Sequence, residues 1–141
     1  MKYVLDSSVG FKWLVVEPLT DKARRLRDDY RNAIHELLAP DVFPIEVVHG
    51  LTRAERQGRI TAAEGAMFLR DLLLTLPQLH PSLALLPKAY AISSRLRIGV
   101  YDCLYIALAE RETCELVTAD DKLIHNAGPH YPFLIHLSSL P

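Results

Sequence analysis

Four carboxylates stand where a charge is least at home: Asp6, Glu46, Asp102 and Asp120. Asp6 ends the apolar, β-favouring run Tyr3-Val4-Leu5 and is followed by the hydroxyls of Ser7 and Ser8. Asp120 follows Leu116-Val117 through Thr118 and Ala119, and Glu46 comes just after Pro44 among Ile45, Val47 and Val48. Asp102 opens the apolar stretch Cys103-Leu104-Tyr105-Ile106-Ala107-Leu108-Ala109. Such charges cost free energy unless paired or coordinated, and no Lys or Arg stands immediately beside any of them. Brought to one place they would repel and raise one another's pKa unless a cation sat among them. Oxygen ligands without His or Cys companions favour Mg²⁺ or Mn²⁺. One chemistry open to such a centre is hydrolysis of a phosphodiester by water.

Each acid taken alone has a simpler use. Asp6 and Asp120 could cap helices that follow their strands, and Glu46 and Asp102 fall near helix N-termini, where negative charge is favourable. Convergence separates the two readings, so the elements that carry the acids matter.

The first strand ends at Leu5, and Val9 to Val16 reads as a short turn or helix stopped by Glu17-Pro18. Apolar residues at helical spacing predict an amphipathic helix from Thr20 to Leu38. Ala39 to Val42 reads as a second strand, and Pro44 suits the first turn of a helix that runs to about Gln57 and stops at Gly58. Thr61 and Glu64 form a capping box for a helix reaching Pro77, with Gln78 to Ser82 extended after it. Leu83 to Leu96 predicts a helix stopped at Gly99, and Tyr101 to Arg111 a buried one, apolar almost all round. Glu115 to Thr118, Asp120 to Asn126 and Phe133 to Leu137 read as strand, short helix and strand. Strands alternating with helices predict one three-layer α/β/α domain over residues 1–141 with a mostly parallel sheet. In such a sheet β-to-α junctions and helix starts face one edge, so all four acids are expected at one rim.

With 141 residues, one core suffices. The balance of 16 Lys plus Arg against 17 Asp plus Glu gives a net charge of −1, which neither favours nor excludes nucleic acid. Two cysteines, Cys103 and Cys114, are too few for a disulfide scaffold and fit a reducing, cytoplasmic setting. No export signal precedes Asp6, and the apolar runs are too short to span a membrane. The six histidines form no zinc pattern. Glu46-x-x-His49 matches half of a di-iron motif, but a second copy and all-helical surroundings are wanting, so His49 reads as packing or as a residue behind the ligands. Asp6-Ser7-Ser8 lacks the second Asp of a phosphoaspartate phosphatase, and no Gly-rich phosphate loop is present. Lys12, Arg53, Arg56 and Arg59 are the candidate cations for gripping substrate phosphates, and the alternative for them is a solvated helix face. Leu72, Leu73, Leu74 and Leu76 offer more apolar surface than one buried stripe uses, which predicts a partner surface near Phe68 to Leu76.

In order along the chain stand Asp6-Ser7-Ser8-Val9, Phe11-Lys12-Trp13-Leu14, Pro44-Ile45-Glu46-Val47, Tyr101-Asp102 with its apolar helix, and Leu116-Val117-Thr118-Ala119-Asp120. Together they resemble the PIN-domain ribonucleases, specifically the VapC toxins of toxin–antitoxin pairs. The resemblance implies a Mg²⁺- or Mn²⁺-dependent endoribonuclease whose metal-binding acids are Asp6, Glu46, Asp102 and Asp120. It makes Ser8 and Thr118 hydroxyls that orient ligands or substrate. Asp121 is either a further ligand or a solvent-facing residue at a helix start. The resemblance also implies a homodimer and a small antitoxin partner whose C-terminal segment lies across the groove. Two other readings stand beside it: a catalytically silent PIN-like module that holds RNA or protein, and a metal-dependent phosphatase or nuclease acting on DNA.

Overall fold

The computed structural model describes all residues, Met1–Pro141. Strand β1 (Lys2–Leu5) lies at the centre, hydrogen-bonded in parallel to β2 (Glu36–Pro40) on one side and β4 (Glu115–Thr118) on the other. Strands β3 (Gln78–His80) and β5 (Leu134–His136) complete a five-stranded sheet in the order β3-β2-β1-β4-β5, every pairing parallel. Burial on both faces is why Val4, Leu5, Leu37, Leu38, Leu116 and Val117 are apolar without alternation.

Seven helices flank the sheet: α1 (Ser7–Leu14), α2 (Thr20–Arg31), α3 (Phe43–Arg56), α4 (Ala62–Leu74), α5 (Leu86–Leu96), α6 (Val100–Glu112) and α7 (Asp121–Ala127). Helix α1 packs on α2, α3 and α4, while α5 lies along α6 and α6 crosses β1, β2 and β4. The result is the three-layer α/β/α arrangement. Helix α6 buries Cys103 through Ala109 without a break, as its nearly all-apolar composition requires.

Two close approaches bring α1 against α3. A Cβ at Gly10 would collide with Cζ of Phe43, itself fully buried, and a Cβ at Gly50 would sit 3.0 Å from Cδ2 of Phe11. Each helix thus offers a glycine to the other's phenylalanine, which sets the N-terminal turn of α1 beside that of α3.

Several boundaries differ from the sequence reading; β2 ends at Pro40, leaving Asp41 and Val42 in the turn that follows it. Helix α2 ends at Arg31, where Ala33 adopts φ 59°, and Leu37 and Leu38 belong to β2 rather than to the helix predicted to reach Leu38. Helix α4 ends at Leu74, short of Pro77. Arg97, not Gly99, takes the left-handed turn after α5 (φ 60°), and Gly99 instead precedes α6 in extended conformation. Gly58 does close α3, with φ 73°, and the Thr61–Glu64 capping box is complete, at 2.8 and 3.1 Å.

Candidate active site

The chain leaves β1, turns through α1 to α4 toward β3, then crosses to β4 on the other side of β1. The carboxyl ends of β1 and β4 therefore flank the point where the strand order reverses, the usual binding crevice of an open parallel sheet. Asp6 leaves β1 there, and Asp120 follows β4.

Asp6 is only 4% exposed. Its Oδ2 accepts the Ser8 hydroxyl at 2.5 Å, the Thr118 hydroxyl at 3.0 Å and the Ser8 amide at 3.3 Å. Ser8 Oγ in turn accepts the Ala119 amide, and Thr118 Oγ1 the Asp120 amide, each at 3.0 Å. Two hydroxyls thus tie the ends of β1 and β4 together and hold Asp6 by one oxygen. Burial pushes the Asp6 carboxyl up from the ordinary range, these hydrogen bonds pull it down, and Asp120 adds to the rise. Asp120 caps α7, its Oδ1 accepting the amides of Lys122 at 2.9 Å and Leu123 at 3.3 Å. The capping roles open to Asp6 and Asp120 in the sequence are both realised, and both acids still line the cleft.

Glu46, in the first turn of α3, accepts the Tyr105 hydroxyl at 2.6 Å on Oε1. Burial raises its pKa, the Tyr105 bond lowers it, and the Asp6 charge raises it. Asp102, in the first turn of α6, is half-buried and receives no hydrogen bond to ease its charge. Desolvation first, then Asp6, Asp120 and Glu46, push its carboxyl up to about 7. The four acids therefore face one another across one cleft, of about 770 Å³.

The four acids offer only oxygen donors, the donor chemistry of a hard divalent cation. No three His, Cys, Asp or Glu side chains close on one point tightly enough to hold a metal ion by themselves. Mg²⁺ keeps several waters and takes one or two carboxylates directly, so it does not require all four acids to close on one point. The residues fit the ion.

Cations line the same cleft: Lys12, Arg53 and Arg59. Arg56, expected with them, is exposed on α3 and is not among the residues that line the cleft. Glu17 was invisible as a site residue in the sequence. It lies in the same cleft and bridges Lys12 at 3.2 Å and Arg59 at 2.8 Å, with Arg59 also 6.0 Å over the Phe11 ring. His49 lines the cleft without a hydrogen-bonded role, and Tyr101 stands at its rim, 58% exposed. Asp121 points away, its side chain 95% exposed and 3.0 Å from His136 Nε2. Tyr105 is the other residue the sequence hid, since it reads there as one more apolar member of α6.

Residues 3–129 match the PIN domain model. The chain belongs to the PIN-domain family. Its relatives include the VapC ribonuclease Mb0985 of Mycobacterium bovis, 30% identical over 103 residues, which are 73% of this chain and 80% of that one. The ribonuclease VapC3 of Pyrobaculum aerophilum is 29% identical over 125 residues, 87% of this chain and 92% of that one. The PIN fold is equally plain in solved structures. The crystal structure of PAE2754 from Pyrobaculum aerophilum aligns with TM-score 0.69 at 21% identity, over 99% of this chain and 94% of that one. VapBC2 from Rickettsia felis, solved bound to a DNA fragment from its promoter, aligns with TM-score 0.66 at 19% identity, over 96% and 97% of the two chains.

Proposed function

We propose that this PIN domain, acting as one unit over residues 1–141, is a divalent-metal-dependent endoribonuclease and the toxin of a type II toxin–antitoxin pair. The observation that carries the proposal is Asp102: a half-buried carboxylate, facing three other acids and receiving no hydrogen bond, in the cleft at the switch point of the sheet. The names of the VapC ribonuclease relatives support RNA as the substrate. No helix is long and apolar enough to cross a membrane.

Asp6, Glu46, Asp102 and Asp120 would hold Mg²⁺ or Mn²⁺. When bound, such an ion relieves charge on phosphoryl oxygens and eases ionisation of water. Ser8 and Thr118 keep Asp6 aimed at the cleft, leaving Oδ1 free for it. Lys12, Arg53 and Arg59 bind phosphates next to the one being cut, so the chain is gripped beside the acidic floor. Water as nucleophile leaves a 5′-phosphate and a 3′-hydroxyl.

The partners follow from fold neighbours and surface together. Structures of a VapBC2 complex and of a Klebsiella pneumoniae toxin–antitoxin complex share the fold, which supports a small antitoxin partner in the cytoplasm. Helix α4 buries only Leu72, while Met67, Leu73 and Leu74 remain exposed, the last at 81%. That apolar face supports contact with the antitoxin or with a second copy in a homodimer.

Incubation of the protein with structured RNA and with DNA, each with Mg²⁺ or Mn²⁺ and then with chelator, tests the activity. Chelator-sensitive cleavage of RNA is expected. Cleavage of DNA alone would reassign the substrate, and cleavage of neither polymer would leave a binding module.

A further inference from the structure

Tyr105 is the one polar side chain in the continuously buried run from Cys103 to Ala109. Packing alone needs no hydroxyl there, since a phenyl ring would fill the same space. A buried hydroxyl needs a partner, and this phenol donates to an acid of the site, Glu46 Oε1, at 2.6 Å, with the Ser7 hydroxyl as a further polar neighbour. Tyr105 lies three residues after Asp102, so both side chains leave neighbouring positions on α6. Glu46 comes from α3, 59 residues away. The bond therefore joins the two helices that present these acids.

The four acids are held in unequal ways. Asp6 has Ser8 and Thr118, Asp120 has two backbone amides, and Asp102 has nothing. Glu46 has a long, flexible side chain whose rotamer freedom would otherwise be lost on binding. Its single fixed point is Tyr105 Oη.

Building on the metal-dependent reading, we infer that Tyr105 is a positioning residue that holds Glu46 by Oε1 and presents Oε2 to the divalent cation. It acts through Glu46 and touches neither the ion nor RNA. Hydrogen-bonded partners behind metal ligands commonly set affinity by about 10–100-fold, and the same range is expected here.

The test is a double-mutant cycle on the full chain read by Mn²⁺ affinity, from calorimetric titration of chelator-stripped protein. Tyr105→Phe is expected to weaken Mn²⁺ binding by about 10–100-fold, with an unchanged far-UV spectrum. In a Glu46→Ala background the same substitution should change Mn²⁺ affinity by less than about twofold, because its route to the ion is gone. Tyr105→Met provides the same contrast with a differently shaped side chain if the Phe variant proves unstable. Wild-type affinity in Tyr105→Phe, or an undiminished loss in the Glu46→Ala background, would overturn the role of Tyr105 while leaving the metal reading intact. Failure of the wild-type chain to bind Mn²⁺ at all would overturn both.

Discussion

Thr118 donates its hydroxyl hydrogen to Asp6 Oδ2 at 3.0 Å, across the neighbouring ends of β4 and β1. Thr118 Oγ1 itself accepts the Asp120 amide at 3.0 Å, so one buried side chain connects two acids of the site. Thr118→Val keeps the shape and removes both bonds. It is expected to cost about 1–3 kcal/mol in urea unfolding, since a buried carboxylate and a backbone amide each lose a partner. Mn²⁺ affinity should fall as well, by roughly 10–100-fold. A variant matching the wild type in both would show that Ser8 alone holds Asp6.

Asp102 sets the sign of a pH effect. Its carboxyl is raised from an ordinary value near 3.8 to about 7 in the folded chain, and Asp6 and Glu46 are raised too. The folded state then binds more protons than the unfolded state between those values. The associated stability is fully present below pH 3.8 and is lost as pH rises through about 7. In chelator the wild type should melt lower at pH 8 than at pH 5. Asp102→Asn should flatten that dependence, gaining about 1–2 kcal/mol at pH 8 once solvent screening in the open cleft is included. Added Mn²⁺ should raise the wild-type melting temperature more at pH 8 than at pH 5, where protons compete, and should hardly move the variant. An Asp102→Asn protein that unfolds at room temperature would make Asp102 a mainly structural residue.

Gly10 tests the geometry that brings α1 to α3. Gly10→Ala drives a methyl into Phe43 Cζ, and with Phe43 fully buried the ring has nowhere to move. A loss of about 1–3 kcal/mol is expected, from the shift in urea midpoint. Adding Phe43→Leu should recover part of it by opening space opposite the new methyl. No recovery would place the strain elsewhere in α1.

The four acids were legible in the sequence because each interrupts an apolar context, and the alternation of strands and helices was enough to place them at one rim. Where the reading slipped, the signal was tertiary. Leu37 and Leu38 fit the helical spacing of α2, yet they pair with β1 and β3 as part of β2, since a short apolar run suits either period. Ala33 ends α2 with a left-handed turn that no glycine announces. Tyr105 and Glu17 went unread because their partners lie far along the chain: Glu46 is 59 residues from Tyr105, and Arg59 is 42 from Glu17. Arg56 shares a three-residue spacing with Arg53 and Arg59, yet of the three only Arg56 is absent from the lining of the cleft.

Arg53 and Arg56 make a matched pair for RNA binding. Both lie on α3 and neither forms an ion pair; Arg53 lines the cleft and Arg56 does not. Each phosphate neutralised on a single strand adds roughly 0.7 to the slope of log affinity against log salt. With cleavage silenced by Asp102→Asn, Arg53→Ala should reduce that slope for a single-stranded RNA by about 0.7 and weaken binding several-fold at low salt. Arg56→Ala should leave slope and affinity as they were. The effect should shrink toward zero as salt rises, because it comes from counterion release and not from recognition of a base. Equal losses in the two variants would mean that RNA is held along α3 outside the cleft that Lys12, Arg53 and the four acids line.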